Sequence, residues 1–323
     1  MKKIYIALLF IVGLVLVAVF STAAYLKFYL PDIAKSPEIT VEQTIERVER
    51  GRYLANHITV CMDCHSTRDW SKFAGPLAGN FGGGGERFDQ EMGFPGTIYS
   101  PNITPYNLAD WTDGELYRTI TTGVNREGKA LFPVMPYHDY GKMDKEDIYS
   151  IIAYIRTLES VETTNPEREL DFPVSLLVNT MPVEAEHRTK PAESDRLNYG
   201  QYLVSASGCV HCHSQRDKGA TVPGTEFGGG MEFGQPAGIL RTPNITPHEK
   251  TGIGSWSQEA FVSRFKLYAD STYEAPTVTL ADFNTPMPWG MYAGMKESDL
   301  EAMYIYLKSL KPIDHAIERF QKN

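Results

Sequence analysis

Cys61-Met62-Asp63-Cys64-His65 and Cys209-Val210-His211-Cys212-His213 are two copies of one pattern, 148 positions apart in a chain of 323 residues. Together they use all four cysteines, so none is left for a structural disulfide or a free thiol. Cysteines at i and i+3 share one face of a helical turn, and the histidine after each pair stands beside that face.

The sequence around the two copies also repeats. Gly51-Arg52-Tyr53-Leu54 matches Gly200-Gln201-Tyr202-Leu203, and Phe81 to Gly84 matches Phe227 to Gly230. Pro101-Asn102-Ile103-Thr104-Pro105 recurs as Pro243-Asn244-Ile245-Thr246-Pro247, Trp111 as Trp256, and Met135-Pro136-Tyr137 as Met287-Pro288-Trp289. In the last segment of each half, Ile148, Ile151, Ile152, Ile155 and Leu158 match Leu300, Met303, Tyr304, Leu307 and Leu310. Their spacings of three and four predict a helix with one buried stripe. Asp144 and Ser298 are expected to cap these helices. Capping-box patterns at Thr40-Val41-Glu42-Gln43, at Thr112 to Glu115 and at Ser255 to Gln258 predict further helix starts. The intervening loops are rich in Gly and Pro and carry no period-two runs. The expected fold is therefore all-α, with two similar domains at 40–160 and 197–312, a linker at 161–196 lying on one of them, and a tail at 313–323.

Cys-x-x-Cys-His is the attachment signature of c-type haem. The two sulfurs reach the vinyl groups along one porphyrin edge, and the histidine supplies an imidazole to the iron. A zinc site needs four ligands, more than either motif provides. A thioredoxin-type pair expects a βαβ context, and plain disulfides need no histidine. The sequence thus calls for two covalently bound haem c groups, on Cys61, Cys64 and His65 and on Cys209, Cys212 and His213. The sixth ligand is expected from Met135 and Met287, which follow the haem histidines by 70 and 74 residues. Proline fixes the loop just after each. Met143, Met295 and Met291 are the other methionines to weigh, and His138 is the rival imidazole. His57, His187, His248 and His315 read as solvent-facing. The run Gly82 to Gly85 lacks the Gly-Lys-Ser/Thr ending of a phosphate loop, and is expected to let backbone approach a flat haem.

The N-terminus stands apart. Lys2 and Lys3 precede 23 uncharged residues from Ile4 to Leu26, enough to cross a hydrocarbon core that takes about 20 helical residues. Residues 1–30 therefore read as a single-pass transmembrane anchor, with a cleaved signal peptide as the alternative suggested by Ser21-Thr22-Ala23-Ala24. The two lysines favour an inside N-terminus, with everything after Lys27 outside. No acidic residue precedes Asp32 and three basic residues precede it, so the exported part holds 28 basic and 40 acidic residues, a net charge of −12. That balance excludes a nucleic-acid partner and suits docking to a basic patch on a protein.

On these motifs the sequence resembles class I cytochrome c twice over. In particular it is similar to the multihaem cytochrome c subunits of bacterial membrane-bound alcohol and gluconate dehydrogenases. Those share the Pro-Asn-Ile-Thr-Pro element, and Thr251-Gly252-Ile253-Gly254-Ser255-Trp256 fits their pattern; they usually carry three haem domains, whereas this chain has motifs for two. The resemblance covers roughly residues 45 to 312. It implies His65 with Met135 on one iron and His213 with Met287 on the other, and helix crossings at Gly51/Tyr53 and Gly200/Tyr202. It also implies that Pro76 and Pro223 offer the carbonyls that accept the imidazole N–H.

The function expected is one-electron transfer on the periplasmic side of a bacterial inner membrane, as part of a respiratory chain. The chain reads as an electron-transfer protein, or the electron-transfer subunit of an oxidoreductase complex, without a catalytic site of its own. Its partners would be a dehydrogenase or quinol-oxidising complex on one side, and a terminal oxidase or soluble cytochrome on the other. The alternative is a dihaem peroxidase, which requires an open iron position in one half.

Overall fold

The structure is a computed structural model that describes residues 2–217 and 219–323. Tertiary contacts divide it into two units. The smaller contains the chain up to Thr40, Trp111–Gly141 and Leu170–Glu186; the larger contains Val41–Asp110, Lys142–Glu169 and His187–Asn323. Both Cys-x-x-Cys-His motifs fall in the larger unit.

In the smaller unit, Lys2–Phe28 forms one 27-residue helix with no buried residue. Its most apolar 18-residue window has a mean hydropathy of 2.9, so the helix is long and apolar enough to cross a membrane. The Asp113–Thr122 helix opens on Thr112 with the full capping box: Thr112 Oγ1 accepts from Glu115 N–H, and the Glu115 carboxylate accepts from Thr112 N–H. It ends at Gly123, whose φ of 77° is the left-handed helix stop that glycine adopts without strain.

The larger unit is built on two helix crossings. Ile45–Tyr53 crosses Lys145–Ile155, and Arg196–Ala206 crosses Glu297–Ser309. A Cβ on Gly51 would lie 1.8 Å from the Ser150 carbonyl oxygen, and one on Gly200 would lie 2.0 Å from that of Ala302. Backbones touch there, which only glycine permits. Ile148, Ile151, Ile152, Ile155 and Leu158 are buried as their spacing requires, as are Leu300, Met303 and Leu307. Tyr304 and Leu310 are only half-buried.

Three helix starts differ from expectation. The cap of Ile45–Tyr53 is Thr44, which accepts from Arg47 N–H, and residues 40–43 are not helical. Gln258–Lys266 is capped by Ser257, which accepts from Ala260 N–H, rather than opening at Ser255. The last helix begins after Lys296 without a side-chain cap, so Ser298 lies inside it. In each case a threonine or serine nearer the apolar stripe takes the role, or none does.

Short strands accompany the helices. Glu232–Gln235 and Gly238–Arg241 form an antiparallel hairpin, and Phe320–Lys322 adds to it as a third strand. The segment expected to be a tail is therefore partly sheet. Residues 161–165 and 313–315 also pack back on their own halves, as described below.

Candidate haem-attachment sites

Each motif forms a single helical turn, Cys61–Cys64 and Cys209–Cys212. Each turn is entered through a left-handed residue, Gly208 at φ 64° in the second and Val60 at φ 44° in the first. Glycine occupies this region freely, whereas a β-branched valine is strained there.

The histidines are held alike. His65 Nδ1 lies 2.7 Å from the Pro101 carbonyl oxygen, and His213 Nδ1 lies 2.9 Å from that of Pro243. With Nδ1–H donating to a carbonyl, Nε2 is the nitrogen presented to a metal, and its basicity is raised. The acceptors are the first residues of the two Pro-Asn-Ile-Thr-Pro elements, not Pro76 and Pro223. Pro76 is instead engaged at its carbonyl by Asp69 N–H, in the loop that follows the motif.

The rest of each Pro-Asn-Ile-Thr-Pro element explains its recurrence. Asn102 Oδ1 accepts from the backbone and hydroxyl of Thr104 at 2.8 and 2.7 Å, and Asn244 Oδ1 accepts from Thr246 at 2.9 and 2.7 Å. The other end of each amide donates to chain that follows the terminal helix: Asn102 Nδ2 to the Val161 and Thr163 carbonyls, Asn244 Nδ2 to that of Ile313. The element thus ties the histidine's acceptor to the segment after the last helix. Its repetition was visible in the sequence, but its work was not, because carbonyl partners leave no residue signature.

The glycine run pairs in a different register from the one expected. Gly84 N–H donates to the His65 carbonyl and Gly229 N–H to that of His213; Gly85 and Gly230 donate to Ser100 and Thr242. The structural match is therefore Gly82–Gly85 with Phe227–Gly230, one residue along from the sequence match. Consistently, Phe227 has φ 64° where Gly82 has 79°. A Cβ on Gly84 would lie 2.5 Å from the Pro101 carbonyl carbon, and one on Gly229 equally close to that of Pro243. The glycines let the loop pass against the histidine's acceptor.

An arginine supports each turn. Arg68 pairs with Asp63 at 2.9 Å, and its guanidinium stacks over the Trp70 ring. Burial pushes the Asp63 carboxyl up to about 6, against the opposing pull of Arg68. In the second half Arg216 instead donates to the His211 carbonyl and lies 3.1 Å from its Nδ1.

Burial also pushes the Cys61, Cys64 and Cys209 thiols up, Cys209 to about 12. A dithiol redox pair needs the reverse, a stabilised thiolate. All four cysteines are unlinked. Two sulfurs on one face of a turn and an imidazole with its Nδ1 committed make a donor set that fits c-type haem.

Met135 and Met287 stand in matching bends. The proline after each has nearly the same conformation, φ −78° and ψ 57° for Pro136 and φ −80° and ψ 63° for Pro288. Tyr137 N–H and Trp289 N–H donate back to the respective methionine carbonyls at 2.8 Å. Both methionines are half-buried. Met143 and Met295 are 2% and 0% exposed and fill the core, while Met291 packs with Met62, Ala55, Tyr154 and Leu158. His138 Nε2 is committed to the Met181 carbonyl at 2.9 Å.

The remaining histidines are not solvent-facing. His57 Nδ1 meets the Met291 carbonyl, His187 that of Met143, and His315 that of Gly228, while His248 meets the Thr251 hydroxyl. Each closes a loop, a role that a single imidazole in a polar stretch does not advertise.

The donor set of each attachment turn is the kind that c-type haem takes, a cofactor that passes single electrons. Residues 197–311 match the cytochrome c family model. The chain is 28% identical over 276 residues to the fructose dehydrogenase cytochrome subunit of Gluconobacter japonicus, covering 81% of this chain and 52% of that one. It is 27% identical to the gluconate 2-dehydrogenase cytochrome c subunit of Pantoea cypripedii, covering 81% and 59%. A diheme cytochrome c-type protein of Cereibacter sphaeroides is 25% identical, covering 79% and 83%. The chain thus spans about half the length of the fructose dehydrogenase subunit, and somewhat more of the gluconate one.

Proposed function

We propose that this chain is a membrane-anchored dihaem cytochrome c, made of two tandem class I domains, that relays single electrons on the periplasmic side of a bacterial inner membrane. The observation that carries the reading is the duplicated hold on the histidines, His65 on Pro101 and His213 on Pro243, each beside its own Cys pair. Cys61, Cys64 and His65 would hold one haem c and Cys209, Cys212 and His213 the other, with Met135 and Met287 as the sixth ligands. Haem c supplies an iron that cycles between ferrous and ferric states. The chain's own residues orient the imidazoles, exclude water and offer an acidic surface to a partner. The named relatives support a dehydrogenase as electron donor, and a terminal oxidase or soluble cytochrome would be the acceptor. The uncharged Ile4–Leu26 stretch, with lysines before it, favours an inside N-terminus.

The test is a haem count on purified full-length protein by pyridine haemochrome, with carbon monoxide binding and the near-infrared methionine-to-iron band. Two haems per chain, the band at an intensity for two and no carbon monoxide complex are expected. One haem per chain sinks the dihaem reading, and strong carbon monoxide binding at one iron sinks the relay.

A further inference from the structure

The smaller unit carries an apolar segment that the attachment sites do not use. Asp171-Phe172-Pro173-Val174-Ser175-Leu176-Leu177 turns through a short helix, Val174–Leu177, with Phe172 80% and Leu177 42% exposed. Large apolar side chains standing in water mark a surface that meets something.

What it meets is indicated by its neighbour. Asn179 Nδ2 donates to the Leu26 carbonyl at 3.0 Å, in the last turn of the Lys2–Phe28 helix. The last four carbonyls of a helix have no partner within it, and leaving one unpaired is most costly at the edge of hydrocarbon. That edge is marked on the helix itself. The apolar run ends at Leu26, Lys27 follows, and Tyr25 and Tyr29 stack with centroids 5.8 Å apart, as aromatic residues do at a membrane interface. A second tie, Ala34 N–H to Glu184, joins the chain that leaves the helix to the chain that follows the apolar segment. Phe28 and Tyr29 are as exposed as Phe172.

We propose that residues 172–177 lie in the headgroup region of the outer leaflet, beside the exit of the transmembrane helix, as a second membrane contact. This rests on the reading of Lys2–Phe28 as a membrane span. The occupant is lipid, because the segment is fixed to the one turn of the helix where the bilayer ends. Asp171 is exposed at its start and accepts Ser175 N–H at its carbonyl, so the segment stays shallow and only the Phe172 and Leu177 side chains enter. The contact would stop the exported part from swinging freely about a single helix.

The test uses full-length haem-loaded protein in phosphatidylcholine/phosphatidylglycerol nanodiscs, with nitroxide placed singly through Phe172→Cys, Leu177→Cys and, as reference, Phe10→Cys. The native cysteines are consumed by haem attachment, so each variant offers one free thiol. Unchanged haem absorbance verifies folding, and the reduced, low-spin form avoids broadening by iron. Labels at 172 and 177 are expected to be reached better by dissolved oxygen than by a water-soluble nickel chelate, to a smaller degree than at 10. A label at 10 in lipid with 172 and 177 freely open to the chelate overturns this proposal alone. Chelate access at all three overturns the membrane reading, and this proposal with it.

Discussion

The Tyr53 hydroxyl donates to the Asp299 carboxylate at 2.6 Å, and at the matching positions Tyr202 donates to Asp147 at the same 2.6 Å. Each tyrosine comes from the first helix of one half and each aspartate from the last helix of the other, so the pairs cross. Both carboxylates are nearly fully buried, at 1% and 2% exposure. The symmetry is broken next to them. Arg50 grips Asp147 with two hydrogen bonds, at 2.9 and 2.8 Å, while its counterpart Tyr199 is buried with its hydroxyl unsatisfied.

That difference makes the two tyrosines unequal. Tyr202→Phe leaves Asp147 with its arginine, whereas Tyr53→Phe removes the hydroxyl that serves Asp299, which pairs with no arginine among the described residues. A buried group stripped of its donor costs about 1–3 kcal/mol. Tyr53→Phe is expected to fall in that range and Tyr202→Phe below it, measured by urea unfolding of the two variants at pH 7. Equal losses would refute the account.

Asp147 also sets an acid limit. Burial opposes its ionisation, but the hydrogen bonds and charge of Arg50, with Tyr202 and Lys190, hold its carboxyl below the usual carboxylate range. A lowered folded value means stability that is fully present above about pH 4, where the unfolded carboxyl titrates, and is lost as pH falls further through the folded value. Asp147→Asn is expected to cost about 3 kcal/mol at pH 7 by breaking the buried pair. Its deficit against the parent protein should shrink below pH 4, in unfolding curves recorded across pH 2.5–7.

The helix crossings give a graded glycine series. Gly51→Ala and Gly200→Ala each force a methyl into a backbone carbonyl, and are expected to cost about 3 kcal/mol or more. Gly290, in the short Trp289–Tyr292 helix, has nothing within 4 Å of an added Cβ. Gly290→Ala should therefore be neutral or stabilise by about 0.5–1 kcal/mol. Thermal melts of the three variants decide the matter.

Two methionines separate packing from ligation. Met295, fully buried, should cost about 2–5 kcal/mol on replacement by alanine and leave the near-infrared methionine band unchanged. Met287→Ala should do the opposite, removing about half of the band with little loss of stability. A band that survives Met287→Ala would reassign the ligand.

The parts of the fold that follow from side-chain pattern were legible in the sequence. The stripe from Ile148 to Leu158 announced a buried helix, and Thr112 and Glu115 announced a capped start, whereas the crossings at Gly51 and Gly200 came from the resemblance to class I cytochrome c. What depends on backbone partners was not legible. Every residue carries a carbonyl, so nothing in the sequence distinguished Pro101 from Pro76 as the acceptor for His65. Thr44 and Ser257 won their caps over Thr40 and Ser255 through the local path of the chain. The glycine run offered several registers of similar composition, and only the pairing of Gly84 with His65 and Gly229 with His213 selects one.

The asparagine that follows each acceptor proline has a mechanical consequence. Asn244 fastens Ile313 to the loop whose carbonyl steadies His213, and residues 320–322 continue from there into the sheet. Thr246 joins in the same fastening, its hydroxyl accepting Ile313 N–H at 3.1 Å, so residues 313–322 and the acceptor of His213 are held as one piece.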